Sequence, residues 1–142
     1  MRERIDVLSF FTNSKTVWVS ENFQNILLKK YVGIEDTQKG GSVKSAELQN
    51  MPPEINPQEF VFQNPDSFLE QLALLIQDQI HGEEGSLLND SSANYFFLKG
   101  KDENYYSVLV RFEQAQKLWR CGAYLQEKIK LPSVRVFYPV VS

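Results

Sequence analysis

The chain has 142 residues, which fits one domain because single-core domains most often run about 100–150 residues. Hydrophobic residues make up 42% and aromatic residues 13% of the chain, a composition that can bury a core and excludes a disordered chain. The 15 Lys and Arg against 18 Asp and Glu give a net charge of −3, which argues against nucleic acid as the partner because small nucleic-acid-binding domains carry a basic excess.

Cysteine and histidine each occur once, as Cys121 and His81. An intrachain disulfide and a four-ligand Cys/His zinc site are therefore excluded, and we expect neither a metal nor another cofactor. The first residues lack the apolar run of a signal peptide, and the longest apolar run, Leu72 to Ile76, is far shorter than the roughly 20 residues of a spanning helix. We expect a cytoplasmic protein without membrane contact.

The N-terminal third is predicted to form two strands and a helix. Arg4 to Phe11 and Thr16 to Val19 are apolar segments separated by a polar turn, which indicates a hairpin. Ser20 is the predicted N-cap of a helix over Glu21 to Val32, whose apolar residues recur at helical spacing. Gly33 is the expected helix stop.

A polar segment rich in Gly and Pro, residues 35–57, follows this helix. Only Val43 to Gln49 within it has the pattern of a helical turn or two. Because compact domains seldom carry unstructured loops longer than about 12–15 residues unless the loop is functional or disordered, we expect a mobile loop here, and residues 38–56 are a candidate part of a contact surface.

The clearest predicted helix starts after a short strand, Glu59 to Gln63. Asn64 is its N-cap and Pro65 its first residue, an arrangement that is typical of helix starts. A wide apolar stripe continues to Ile80, and Gly82 is the predicted C-cap. A helix this apolar should be largely covered.

The last fifty residues predict a four-stranded antiparallel meander over Asn94 to Lys99, Tyr105 to Glu113, Lys117 to Gln126 and Val134 to Val141. The chain is therefore expected to be a single α+β domain in which two main helices pack on a mostly antiparallel sheet. The predicted core contains Trp18, Phe23, Leu27, Phe68, Leu72, Leu75, Ile76, Val108, Val110 and Trp119.

The residue pattern of the two longest strands of the meander predicts that one face of the sheet is apolar and the other is mixed. In the expected register, Val108 lies opposite Cys121 and Val110 opposite Trp119 on the core face, because side chains alternate with period two. The other face carries hot-spot residue types, Arg and Tyr. The candidate partner-binding residues are Tyr105, Arg111, Arg120, Tyr124 and Arg135. An ordinary solvated face, or one covered by the long helix, is the alternative.

The sequence contains little equipment for catalysis. A small hydrolase would need Cys121 beside His81, yet Cys121 is expected in the core. The carboxylate pairs Glu83-Glu84 and Asp102-Glu103 lie in predicted turns without an apolar wall that would shift a pKa. We therefore predict no catalytic residues and a protein that is not an enzyme.

A small acidic domain of this kind is expected to bind another protein, with self-association as one form of that activity. An inhibitor or immunity-like protein, a secretion chaperone or adaptor, and an assembly subunit all fit. The alternatives are single-stranded nucleic-acid binding through the Arg/Tyr face, since bases stack on such side chains, and the Cys/His hydrolase.

Overall fold

The fold is built on one mixed sheet with helices on one side. The computed structural model describes residues 6–31, 43–47, 61–125 and 135–139, the ranges 43–47 and 135–139 by their backbone. The described helices are α1 (Val7–Phe10), α2 (Glu21–Phe23, continued by a π-helical turn over Gln24–Leu28) and α3 (Pro65–Gln77). The described strands are β1 (Val17–Val19), β2 (Val43–Glu47), β3 (Val61–Phe62), β4 (Asn94–Lys99), β5 (Tyr105–Glu113), β6 (Leu118–Leu125) and β7 (Arg135–Pro139).

The described strands form a seven-stranded sheet in the order β1-β6-β5-β4-β7-β2, with β3 also paired to β4. The pairs β4–β5, β5–β6 and β2–β7 are antiparallel, whereas β1–β6, β3–β4 and β4–β7 are parallel. The predicted α+β fold is confirmed. Strands β4, β5 and β6 form the expected meander, and β7 joins the same sheet beside β4 rather than beside β6.

The core lies between the helices and one face of the sheet. Alternate residues of β5 and β6, such as Val108, Val110, Trp119 and Cys121, are buried there. The helices contribute Phe23, Leu27, Phe68, Leu69, Leu72, Ala73 and Ile76 to the same cluster. Because α3 packs on this face, the opposite face of β5 and β6 is not covered by the long helix.

Both predicted N-caps are present. The Ser20 hydroxyl accepts a hydrogen bond from the Phe23 amide at 3.1 Å. The Asn64 carboxamide accepts from the amides of Asp66 and Ser67 at 3.0 and 3.1 Å. The first amides of a helix have no acceptor within the helix, and these two side chains supply one. The start of each helix could therefore be predicted from its N-cap residue.

Helix α3 ends at Gln77, earlier than the apolar stripe predicts. The Gln79 amide donates to the Ile76 carbonyl at 2.9 Å, a tighter turn than the α-helical one. Gly82 then adopts a φ of +84° and lies under the Phe112 ring, and a Cβ at this position would come within 2.4 Å of that ring. Only glycine fits here.

The predicted N-terminal hairpin is wrong. Residues Val7–Phe10 are helical, and the Asp6 carboxylate caps this turn by accepting from the Ser9 amide and hydroxyl at 3.3 and 2.9 Å. The helical turn buries Val7 and Phe11 and leaves Ser9 exposed, whereas a strand would turn Ser9 to the same side as both. Strand β1 pairs instead with β6, in parallel.

The structure differs in detail from two further predictions. Val43–Glu47 is a strand that pairs antiparallel with β7, not a helical turn, and the rest of the 35–57 segment lies outside the described residues. The β5–β6 register differs by two residues from the predicted one, so that Val108 lies opposite Ala123. A shift of two preserves the faces, and the connecting turn ends at Lys117 with a φ of 54°.

Candidate functional site: an open sheet face of arginine and aromatic residues

The sheet face opposite the helices, here called the outer face, is not covered by any described helix along β1, β6 and β5. On β5 and β6 it carries Leu109, Arg111, Arg120, Gly122 and Tyr124, which alternate with core residues. Arg111 and Tyr124 are exposed, and Leu109 and Arg120 are half-buried. The part of the outer face formed by β3 and β4 differs, since Val61 and Phe97 are buried.

Trp18 belongs to the outer face, so its predicted place in the core is wrong. Its flanking residues Val17 and Val19 are each only 1% exposed, whereas Trp18 is 38% exposed. Strand alternation explains the arrangement, because Val17 and Val19 point to the core and Trp18 must then point away from it. Because all three residues of this strand are apolar, the sequence alone does not show which of them face the core.

Arg120 is held in place by three neighbours. Its guanidinium carbon lies 5.0 Å from the centroid of the Trp18 ring, a cation–π geometry. Its Nε donates to the Glu113 carboxylate, and its Nη2 donates to the Gln116 side-chain oxygen at 3.0 Å. An arginine fixed in this way loses little further side-chain entropy when a partner binds.

Arg111 stands directly opposite Arg120 in the β5–β6 register. Side chains at such positions have Cβ atoms roughly 4.5–5.5 Å apart, and like charges there are destabilising. Arg111 is exposed and forms no ion pair with a carboxylate of the described residues. The pair therefore places one fixed and one unneutralised guanidinium side by side on the surface.

Tyr124 lies on the same face as Arg111 and Arg120, near the C-terminal end of β6. It is 51% exposed, and its hydroxyl lies 3.1 Å from the position of a Cβ built on Gly122. The absence of a side chain at Gly122 thus lets the Tyr124 ring lie back along the strand towards Arg120. On β4, partial burial and the nearby Tyr124 raise the pKa of Tyr95. We call Trp18, Arg111, Arg120 and Tyr124 the Arg–aromatic patch.

Of the two other predicted site residues, Tyr105 lies beside Tyr124 at one end of this patch, and Arg135 lies apart from it. Tyr105 begins β5, about 20 Å along the strand from Arg111, but it is only two residues from Ser107, which stands opposite Tyr124. Arg135 begins β7, where it is paired with Asn94, and β4 separates β7 from β5. The structure thus brings together Arg111, Arg120 and Tyr124 of the predicted set and adds Trp18.

The β1 edge of the sheet next to the patch is closed to strand addition. The outward-facing backbone groups of Val17 are taken by Ser14, whose amide donates to the carbonyl at 2.8 Å and whose hydroxyl accepts from the amide at 3.1 Å. The Val19 amide donates to the Asn13 side chain at 2.8 Å, and its carbonyl accepts from Gln24 at 3.4 Å. An edge with satisfied backbone groups offers no template for a further strand.

The Cys121–His81 couple has no support in the geometry. The Cys121 side chain is 1% exposed on the core face, and burial raises the pKa of its thiol. His81 lies in an exposed turn, where its backbone amide donates to the Glu83 carboxylate at 2.6 Å. A buried neutral thiol lacks both the access and the thiolate form that a nucleophile needs.

The acidic turns are engaged in local interactions. Asp102 accepts from Tyr106 Oη and from the Asn104 amide, and the hydrogen bond from Tyr106 is the main reason that the pKa of Asp102 is lowered. Glu103 pairs with Lys99 at 2.7 Å. These carboxylates therefore stabilise the β4–β5 turn, and this use competes with a role in binding a basic partner.

A polar cleft of about 480 Å³ opens at the start of α3, beside the β4–β5 turn. Its charged residues pair with one another, Lys101 with Asp66 at 3.0 Å and Lys99 with Glu103. Since these four charges cancel, the cleft presents no surplus charge to a ligand.

Residues 6–31, 43–47, 61–125 and 135–139 contain no cluster of three or more metal-ligating side chains. None of the helices in those ranges has the length and apolar character of a membrane crossing. No protein-family model, curated protein or solved structure matches the chain.

Proposed function

We propose that this chain is a protein-binding module whose contact surface is the Arg–aromatic patch. The observation that carries the proposal is the fixed Arg120, which stacks on a part-exposed Trp18 and is hydrogen-bonded to Glu113 and Gln116 on a sheet face that the helices leave open. Trp18 and Arg120 are not part of the buried core cluster and lie on the opposite face of the sheet.

The composition of the patch supports binding to protein. Trp, Tyr and Arg are the residue types most enriched in binding hot spots, because they combine large contact area with directed hydrogen bonds. Trp18 and Tyr124 are 38% and 51% exposed, so their rings have area left to bury. An inhibitor, a secretion chaperone or adaptor, and an assembly subunit in the cytoplasm would each use such a surface.

Single-stranded nucleic acid is the second candidate partner. The two exposed rings on a sheet face favour it, since bases stack on aromatic side chains. The charge of the molecule weighs against it, because phosphate binding needs several uncompensated cations and the chain has a net charge of −3. Protein is therefore the better supported partner.

Affinity capture from a lysate of the source cells, with and without nuclease, tests the proposal. The baits are the wild-type protein, Trp18→Ala, Arg111→Glu and Lys29→Glu. Lys29 is an exposed lysine at the end of the π-helical turn, on the helix side of the sheet. Lys29→Glu is therefore the control, since it makes the same change in charge as Arg111→Glu at a position away from the patch.

We expect a protein that wild type and Lys29→Glu retain after nuclease treatment and that Trp18→Ala and Arg111→Glu lose. Circular dichroism of each bait controls for folding. Capture that is equal on all four baits would contradict the proposal, and capture that disappears with nuclease would favour the second candidate.

A further inference from the structure

Arg111 is the arginine of the patch that has no carboxylate partner among the described residues. Arg120 has a carboxylate, an amide oxygen and an indole ring as neighbours, whereas Arg111 has no ion-pair partner among the described residues. It stands opposite a second arginine, where like charges cost stability. A cation in this position without an ion-pair partner among the described residues points to an anion that arrives with the ligand.

The charge of the patch defines the class of that anion. The guanidinium groups of Arg111 and Arg120 carry two positive charges, and Glu113 neutralises one of them through its ion pair with Arg120. One surplus positive charge remains. This balance matches a single carboxylate, which a guanidinium binds through two parallel hydrogen bonds, better than a dianionic phosphate or a polyanion.

Two other occupants fit the surface less well. A second copy of the chain, docked about a twofold axis through the patch, would bring Arg111 against Arg111, because isologous contacts pair each surface with itself. A peptide added as a strand at β1 would find the outward groups of Val17 and Val19 already bonded. Contact through side chains on the outer face is the arrangement that remains.

We infer that the patch recognises a protein segment through one aspartate or glutamate of the partner, which pairs with Arg111, while apolar or aromatic side chains of the same segment lie against Trp18 and against Tyr124. This inference rests on the proposed function and names the partner's chemistry.

Selection of binders from a displayed library of random 12-residue peptides tests the inference. The library is selected in parallel on wild type, Arg111→Gln and Lys29→Gln, each checked for folding by circular dichroism. We expect binders enriched in Asp or Glu on wild type and Lys29→Gln and no such enrichment on Arg111→Gln. Binders without acidic enrichment on wild type, or no binders, would overturn the inference.

A double-mutant cycle on one selected peptide gives the quantitative test. Replacing its acidic residue by Gln or Asn should weaken binding to wild type at least tenfold and leave binding to Arg111→Gln unchanged, because the coupling needs both partners. An equal loss on both proteins would contradict a pair with Arg111.

Two further probes separate the carboxylate from phosphate. They are the same peptide with phosphoserine at the acidic position and a 12-nucleotide oligothymidylate. Tighter binding of either one than of the parent peptide would overturn the carboxylate assignment. Failure of the inference is distinguishable from failure of the proposed function, because a captured protein that depends on Trp18 would remain even if acidic peptides are not selected.

Discussion

Trp18 and Arg120 lie directly opposite each other on the parallel strands β1 and β6, and the guanidinium of Arg120 covers the indole ring at 5.0 Å. The contact joins the short strand β1 to β6, the last strand of the meander, on the side away from the core. It therefore contributes to stability as well as forming the centre of the proposed contact surface.

The first prediction concerns this contact. In a double-mutant cycle of Trp18→Ala and Arg120→Ala, we expect a coupling of about 0.5–1 kcal/mol, the range of a cation–π pair at an exposed site. Urea denaturation of the four proteins measures it. The cycle removes the separate loss of the Arg120–Glu113 ion pair from the result, and strictly additive effects would contradict a direct Trp18–Arg120 interaction.

The second prediction concerns Gln79, which is 2% exposed. Its carboxamide accepts from the Leu87 amide at 2.9 Å and donates to the carbonyls of Leu87 and Glu83 at 3.0 and 2.8 Å. Gln79→Ala leaves these buried groups without partners and should lower the free energy of unfolding by about 2–4 kcal/mol. Chemical denaturation and hydrogen exchange at the Leu87 amide measure the change.

The exposed neighbour Gln77 provides the control for Gln79. Because it is at the solvent side of α3, Gln77→Ala should change stability by less than about 0.5 kcal/mol. The adjacent Leu88 amide is held in the same way, since it donates to the Asn94 side chain at 2.8 Å. Equal stabilities of the Gln77 and Gln79 variants would show that the loop does not depend on the buried carboxamide.

The third prediction concerns alkaline pH. Burial raises the pKa of the Cys121 thiol above its ordinary value of 9.0, so the folded state keeps a proton that the unfolded state loses. Stability from this difference is complete below pH 9 and falls above it by about 1.4 kcal/mol per pH unit. Cys121→Ala should lack this component of the slope, and parallel pH profiles for the two proteins would contradict it.

Local signals explain which parts of the fold could be predicted. The N-caps Ser20 and Asn64 and the alternating apolar residues of β5 and β6 determine their elements through contacts between near neighbours. The order of the strands in the sheet could not be predicted from such local signals. Pairing of β1 with β6 and of β4 with β7 joins segments that are distant in sequence, and neither pairing has a local pattern.

The candidate site was predicted in part for the same reason. Strand alternation places Arg111, Arg120 and Tyr124 on one face whatever the exact register, because a shift of two residues preserves the faces. Trp18 was missed because a large aromatic residue between two valines is expected in the core when its strand is considered alone. Its role follows from the pairing of β1 with β6, which places it opposite Arg120.

The most direct test of the central claim is site-specific photo-crosslinking in the source cells. Benzoylphenylalanine at Leu109, beside Arg111 and Arg120 on the outer face, should crosslink to a partner protein. The same group at Gln77, exposed on the helix side, should not. A crosslink from Leu109 that disappears in the Arg111→Glu background is the predicted result, and crosslinks from Gln77 but not from Leu109 would contradict the account.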